Sequence, residues 1–129
     1  MAAGSSMCAG CSQFEFAVAR YVPGGSLDTA FAGDGTTATS IGPGSDRAFG
    51  VLIQRGGRVL AVGGAGCHFE LARFGGDGSL DATFGMHGTV RTDVGGCGVA
   101  NDVARAGTER VVVVGPAGSK FGAARYLAS

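Results

Sequence analysis

Four cysteines and two histidines are the side chains of this sequence best suited to binding a metal ion or forming a disulfide. The cysteines are Cys8, Cys11, Cys67 and Cys97, and the histidines are His68 and His87. A structural zinc site usually draws its ligands from two closely spaced pairs, whereas only Cys8 and Cys11 are close to each other in this sequence. We therefore favour free thiols, and keep one disulfide and a zinc site as alternatives.

Two arginines each precede an aspartate by eight residues. The pairs are Arg20 with Asp28 and Arg73 with Asp81. We expect each to form an ion pair that holds a loop to the strand before it, because a guanidinium binds a carboxylate through charge-assisted hydrogen bonds. The alternative is that the aspartates bind Ca²⁺, but calcium takes about six to eight oxygen ligands and few acids lie nearby. Arg125 stands in the same sequence context, with no aspartate after it.

The sequence shows no signature of catalysis or of cofactor binding. Gly64 and Gly66 follow an apolar run, as in a dinucleotide-binding loop, but the residues after them predict a strand where such a loop needs a helix. Cys67 and His68 are adjacent, so their side chains point apart and do not form a dyad. We expect a protein that is not an enzyme and has no catalytic, cofactor-binding or metal-binding residues.

Charge and hydropathy argue against several classes of partner. Lys and Arg together number 10, as do Asp and Glu, so the 129-residue chain has a net charge of zero. A neutral chain lacks the basic surface that nucleic acids and anionic membranes require, so we expect neither as a partner. No apolar stretch is long enough to span a membrane, and the first residues carry no secretory signal.

The chain is built on a repeat with a period of about 53 residues. Residues 16–41 recur at residues 69–94, and a third copy begins near residue 121. A period of this length indicates stacked supersecondary units. The arginine–aspartate pairs lie at the same place in both copies, so they belong to the repeat, whereas the cysteines do not.

Each period contains four short runs rich in β-branched and aromatic residues, which predict strands. The nine predicted strands cover residues 14–21, 36–41, 47–54, 58–63, 69–74, 89–94, 100–106, 110–115 and 121–127. Residues 58–62 and 110–114 are continuously apolar after an arginine at the first position, which indicates strands covered on both faces. We therefore predict an all-β fold of tandem four-stranded antiparallel units. These form about two β-propeller-like blades plus one extra strand, in an incomplete ring.

The longest links, residues 22–35 and 75–88, are predicted to cross from the outer strand of one blade to the inner strand of the next. The two blades then cover about residues 36–74 and 89–126. This division rests only on the length of these links.

The predicted domain organisation follows the repeat. We expect a flexible segment over residues 1–13, left from a preceding repeat, and one repeat domain over residues 14–129. Within that domain the repeats cover about residues 14–68 and 69–120, and a third starts at residues 121–129.

The predicted strand order brings cysteines to one end of the sheets. Cys67 follows the fourth strand of its unit and Cys97 follows the second strand of the next unit. In an up-and-down sheet these two links emerge on the same side. Cys67 and Cys97 could therefore approach each other, as could Cys11.

The pattern F-x-x-A-R-[YF]-x-x-x-G-S-L-D-x-x-F occurs at residues 16–31 and 69–84. Together with the Gly-Thr and V-x-x-G strands that follow, it resembles the delta-60 repeat of bacterial proteins over about residues 14–126. The family's hairpin usually reads Gln-Pro-Asp-Gly-Lys, whereas residues 54–58 read Gln-Arg-Gly-Gly-Arg. The resemblance implies a β-propeller and an exported or cell-surface protein, and it implies no catalytic residues.

We expect a non-catalytic β-propeller-type repeat module with a scaffold or interaction role in a bacterial surface or exported protein. Its expected partner is a second copy of itself that helps to close a ring, or neighbouring repeats of a longer chain. One alternative is a carbohydrate- or ligand-binding propeller formed by oligomerisation. Another is a fragment of a longer repeat array with no function of its own.

Overall fold

The computed structural model describes residues 1–7, 9–10 and 12–128, and within them it contains ten β-strands and no α-helix. The strands are β1 (Ala2–Met7), β2 (Phe14–Ala19), β3 (Thr36–Thr39), β4 (Arg47–Ile53), β5 (Val59–Ala65), β6 (His68–Phe74), β7 (Thr89–Asp93), β8 (Asp102–Arg105), β9 (Arg110–Ala117) and β10 (Lys120–Leu127). A single 3-10 turn, Arg55–Gly57, joins β4 to β5. No helix in the described part of the chain is long and apolar enough to cross a membrane.

The strands form three antiparallel sheets. The N-terminal sheet has the order β1-β2-β3, the middle sheet β4-β5-β6-β7, and the C-terminal sheet β10-β9-β8. These described strands do not close a ring. The predicted fold class is therefore confirmed: the protein is all-β, with antiparallel propeller-like units in an incomplete ring.

The predicted division into blades is wrong. The long link of residues 75–88 joins β6 to β7, which are hydrogen-bonded neighbours in the middle sheet, and residues 22–35 join β2 to β3 in the same way. The chain passes between sheets through the shorter links of residues 40–46 and 94–101. The complete four-stranded unit thus spans Arg47–Asp93, and not residues 36–74.

The long links stay within a sheet because they fold back on the strand before them. The amide of Asp81 donates to the carbonyl of Arg73 (2.8 Å), and the amide of Gly88 donates to that of Phe84 (2.8 Å). The first copy repeats this arrangement at Gly35, whose φ of +91° and close approach to Leu27 exclude a side chain. Each long link folds into these turns, so the chain returns to the same sheet and does not cross to another blade.

The N-terminus forms a strand where the sequence analysis expects a flexible segment over residues 1–13. Ala2–Met7 pair with β2, with Ser5 opposite Phe16. The corresponding pairs in the other sheets are Gly64 with Phe69 and Pro116 with Phe121. Strand β1 therefore occupies the place of β5 and β9. The N-terminal sheet lacks a counterpart of β4, and the C-terminal sheet lacks one of β7, among the described strands.

Two hydrophobic cores lie on opposite faces of the middle sheet. One packs Phe16, Val18 and Phe31 against Val59, Ala61 and Phe74. The other packs Leu60, Val62, Phe69 and Leu71 against Val103, Val111 and Val113. Strand β5 contributes alternate residues to both cores and is buried from Val59 to Gly64, so the predicted burial on both faces is confirmed for this strand.

Candidate functional site

The repeated arginines and aspartates form the predicted ion pairs. Arg20 Nε lies 2.8 Å from Asp28 Oδ2, and Arg73 Nε lies 2.9 Å from Asp81 Oδ2. The second oxygen of Asp81 accepts hydrogen bonds from the hydroxyl (2.6 Å) and the amide (3.1 Å) of Thr83. Donation by Thr83 and the charge of Arg73 hold the pKa of Asp81 below its usual value. The structural interpretation of these pairs is confirmed.

Each arginine also lies over a phenylalanine of its own long link. The guanidinium of Arg20 is 4.8 Å from the ring centroid of Phe31, and that of Arg73 is 4.7 Å from Phe84. Both rings are buried, one in each core. The arginine therefore fixes the link at two points, through the carboxylate and through a cation–π contact with the ring.

The first arginine joins two sheets. Arg20 Nη1 donates to the carbonyl of Gly76 in the next long link (2.6 Å), and the amide of Ala32 donates to the carbonyl of Asp77 (2.7 Å). The N-terminal and middle sheets are thus held together by a hydrophobic core at the centre and by contacts between their long links at one end.

Replacing Asp81 with asparagine is expected to lower the free energy of unfolding by about 3 kcal/mol, because Arg73 is 2% exposed and would lose its carboxylate. The matched change of Asp28 to asparagine is expected to cost about 1 kcal/mol, because Arg20 is 23% exposed and water screens its charge. Urea unfolding followed by circular dichroism measures both values. Equal losses at the two sites would contradict the role assigned to burial.

The cysteines differ from the favoured interpretation. Cys67, in the turn between β5 and β6, forms a disulfide with Cys97, in the link from β7 to β8. Free thiols are therefore wrong for this pair, and the alternative of one disulfide holds. The two links meet because the amide of Gly98 donates to the carbonyl of Gly66 (3.2 Å). Cys8 and Cys11 lie outside the described residues.

In the described part of the chain, neither histidine joins Cys67 and Cys97 in a metal site. His68 begins β6, and His87 lies in the link between β6 and β7. Across residues 1–7, 9–10 and 12–128, no group of three or more His, Cys, Asp or Glu side chains is placed to hold a metal ion. Gly64 and Gly66 precede strand β6, as expected, and not the helix that a dinucleotide site needs.

A buried acid pair is the feature that sequence reasoning missed. Glu70 and Asp46 are fully buried, and Arg91 Nε lies 3.1 Å from Glu70 Oε1. Asp46 Oδ2 accepts a hydrogen bond from the amide of Ile41 (2.8 Å). The other oxygens of the two acids have no donor in the described structure. Burial, reinforced by Asp46, raises the pKa of Glu70 to about 7, so a proton on Glu70 can be donated to Asp46.

The C-terminal sheet leaves an apolar face uncovered. In β9, Val111 and Val113 are buried, whereas Val112 and Val114 on the other face are only partly buried. The predicted burial of residues 110–114 on both faces is therefore wrong. Across from this second face of β9, the β10 residues Phe121 and Leu127 are 76% and 66% exposed. We call the surface formed by Val112, Val114, Phe121, Ala123 and Leu127 the open face.

The open face corresponds to a covered face in the middle sheet. Four of its residues have counterparts 52 positions earlier in the chain. Val112, Val114, Phe121 and Ala123 correspond to Leu60, Val62, Phe69 and Leu71, which are all fully buried. Those residues pack against the C-terminal sheet. At the other end of the chain, the outward side of β2 carries the small apolar side chains Ala17 and Ala19, next to Glu15. The molecule therefore ends in a bulky apolar face on one side and, on the other, a face that includes these alanines.

Comparison with known proteins gives one match. Residues 56–84 match a family model described as "Domain of unknown function (DUF5122) beta-propeller". The repeat is of the β-propeller type. The matched stretch of this propeller repeat covers most of the β4–β5 turn, β5, β6 and the part of the long link that carries Asp81 and Phe84. No curated protein and no solved structure matches the chain.

Proposed function

We propose that this chain is a non-catalytic propeller-type repeat module with a scaffold or interaction role. Its open face packs against a further unit of the same kind, supplied by a second copy of the chain. The observation that carries the proposal is the contrast between Phe121, which is 76% exposed, and Phe69, which is fully buried at the same repeat position. We propose further, from the sequence pattern at residues 16–31 and 69–84, that the repeats are of the delta-60 type. The module would then belong to a bacterial surface or exported protein.

Burial of apolar surface would stabilise the contact at the open face. Burying a large apolar side chain that was exposed contributes about 1.5–3 kcal/mol, and the open face holds two such side chains together with two valines. Exposed apolar patches beside polar residues mark interaction sites, and here Arg125 lies opposite Val112 on the same face. We expect the interaction to be mainly hydrophobic.

A second copy suits the open face because the chain carries the complementary surface. Inside the molecule, Phe16 and Val18 of one sheet pack on small and medium-sized residues of the next, including Ala61 and Ala72. The outward side of β2 offers alanines of this kind. Arg125 is the counterpart of Arg20, which donates to the carbonyl of Gly76 in the long link of the next unit. A covering unit would offer Arg125 the same kind of contact.

The test is the solution mass of the full chain, measured by sedimentation velocity across a range of concentrations. The wild-type mass is expected to rise above the 12.7 kDa of a single chain as concentration increases. Replacing Phe121 with aspartate is expected to abolish this rise. The same change at Phe49, which is 52% exposed on a different strand, is the matched control and should leave assembly intact. A wild-type mass of one chain at every concentration would overturn the proposal.

A further inference from the structure

A cavity with an unusually basic lining lies between the turns of two adjacent sheets. It has a volume of about 300 Å³ and opens between the β4–β5 turn and the β8–β9 turn. Its lining includes Arg55, Arg58, Arg105 and Arg110, and the single acidic side chain there is Glu109. The chain as a whole is neutral with 10 basic residues, so four of them gather at this one place.

Hydrogen bonds within and between the two sheets fix the walls of the cavity. Gln54 Nε2 donates across the gap to the carbonyl of Ala128 (2.7 Å), whose own amide donates to the carbonyl of Glu109 in the C-terminal sheet (2.7 Å). Arg105 Nη2 donates to the carbonyl of Ile53 across the same gap. A guanidinium carries five N–H donors, so Arg105 keeps others for a ligand. The cavity is therefore held open by its own framework.

The gathering of arginines is not a by-product of the repeat. Arg58 and Arg110 occupy equivalent positions, 52 residues apart, but the counterpart of Arg55 is Gly107 and that of Arg105 is Ile53. Two of the four positive charges, those of Arg55 and Arg105, are thus found only where the β4–β5 turn meets the β8–β9 turn. Like charges held close together repel one another, and this repulsion is relieved when an anion binds between them.

We propose that this cavity binds a small oxyanion that carries more than one negative charge, as a phosphate- or carboxylate-bearing metabolite does. The guanidinium fork matches the two oxygens of a carboxylate or phosphate, and several arginines favour a multivalent anion over a single charge. The volume is at the lower end of the range for small-molecule sites. The cavity adjoins the open face at Arg110, which lies opposite Leu127.

Binding is tested by isothermal titration of the full chain with pyrophosphate and, separately, with citrate, at constant ionic strength. Saturable binding of at least one of the two is expected, and the stronger of the two identifies phosphate or carboxylate as the preferred group. Replacing Arg55 and Arg110 with glutamine together is expected to weaken binding at least about 10-fold, since each lost charge-assisted contact contributes on the order of that factor. The change of Arg47 to glutamine is the control, because this exposed arginine lies outside the lining, and it should bind as the wild type does.

A variant that binds the anion more tightly than the wild type shows that the effect of a substitution does not come from loss of folding. Replacing Glu109 with glutamine removes the one negative charge of the lining, so binding is expected to tighten about three-fold or more. The proposal is overturned if neither anion binds saturably. It is also overturned if the arginine variant binds as tightly as the control, or if the glutamine at position 109 leaves the affinity unchanged.

Discussion

Replacing Glu70 with glutamine is expected to remove most of the pH dependence of stability between pH 4.5 and pH 7. The pKa of Glu70 is raised from 4.5 to about 7 in the folded protein, so in this window the folded state holds a proton that the unfolded state releases. The contribution is fully present below pH 4.5 and is lost as the pH rises towards 7. At about 1.4 kcal/mol per pKa unit, the loss is roughly 3 kcal/mol.

Glutamine suits this site because it keeps the two hydrogen bonds without the charge. Its amide nitrogen can donate to Asp46 and its carbonyl can accept from Arg91 at every pH. The variant is therefore expected to be more stable than the wild type at pH 8 and about equal to it at pH 4.5. Urea unfolding at a series of pH values measures the difference. The control is the exposed Glu109, also changed to glutamine. A wild-type pH slope that persists in the Glu70 variant would contradict the assignment of the raised pKa to Glu70.

The second large effect is a contrast between two phenylalanines at one repeat position. Replacing Phe69 with alanine is expected to cost about 3–5 kcal/mol of unfolding free energy, because the side chain is fully buried in the core on the β8–β9 side of the middle sheet. The same change at Phe121 is expected to cost less than about 1 kcal/mol in the dilute chain, because that ring is 76% exposed.

This pair of variants tests whether Phe69 and Phe121 occupy equivalent positions that differ in burial, which is the basis for defining the open face. The two residues share a sequence context and a strand position, and they differ only in whether a following sheet covers them. Thermal or urea unfolding at low concentration gives both values. A large loss at Phe121 under these conditions would mean that its face is already buried within one chain, and equal losses would contradict the assignment of an open face.

The repeat made much of the fold predictable, because its signals are local. Strand runs, the arginine–aspartate spacing and the continuous apolar character of β5 each depend on residues close together in sequence. The division into sheets could not be read in this way. A long link indicates a crossover when length alone is considered, and the hydrogen bond from Asp81 to the carbonyl of Arg73 that turns it back becomes visible only in the structure.

The other features found in the structure depend on packing between distant elements. Glu70 is the one charged residue before the arginine in an otherwise apolar strand, and its counterpart in the first copy is Ala17, which is the signal that sequence reasoning could have used. Its partner Asp46 lies in the link between two sheets, where no spacing rule applies. Strand parity correctly brought Cys67 and Cys97 to one end, but whether they bond depends on how closely two links approach.

The most direct test of the central claim is the behaviour of the β9 valines as the chain is concentrated. Methyl resonances of Val112 and Val114, on the open face, are expected to shift or broaden with concentration in NMR spectra. Those of Val111 and Val113, buried within the chain on the opposite face, are expected to stay unchanged. This pattern would place the contact with a second copy on the open face. Resonances of all four valines that stay constant, or that change alike, would contradict it.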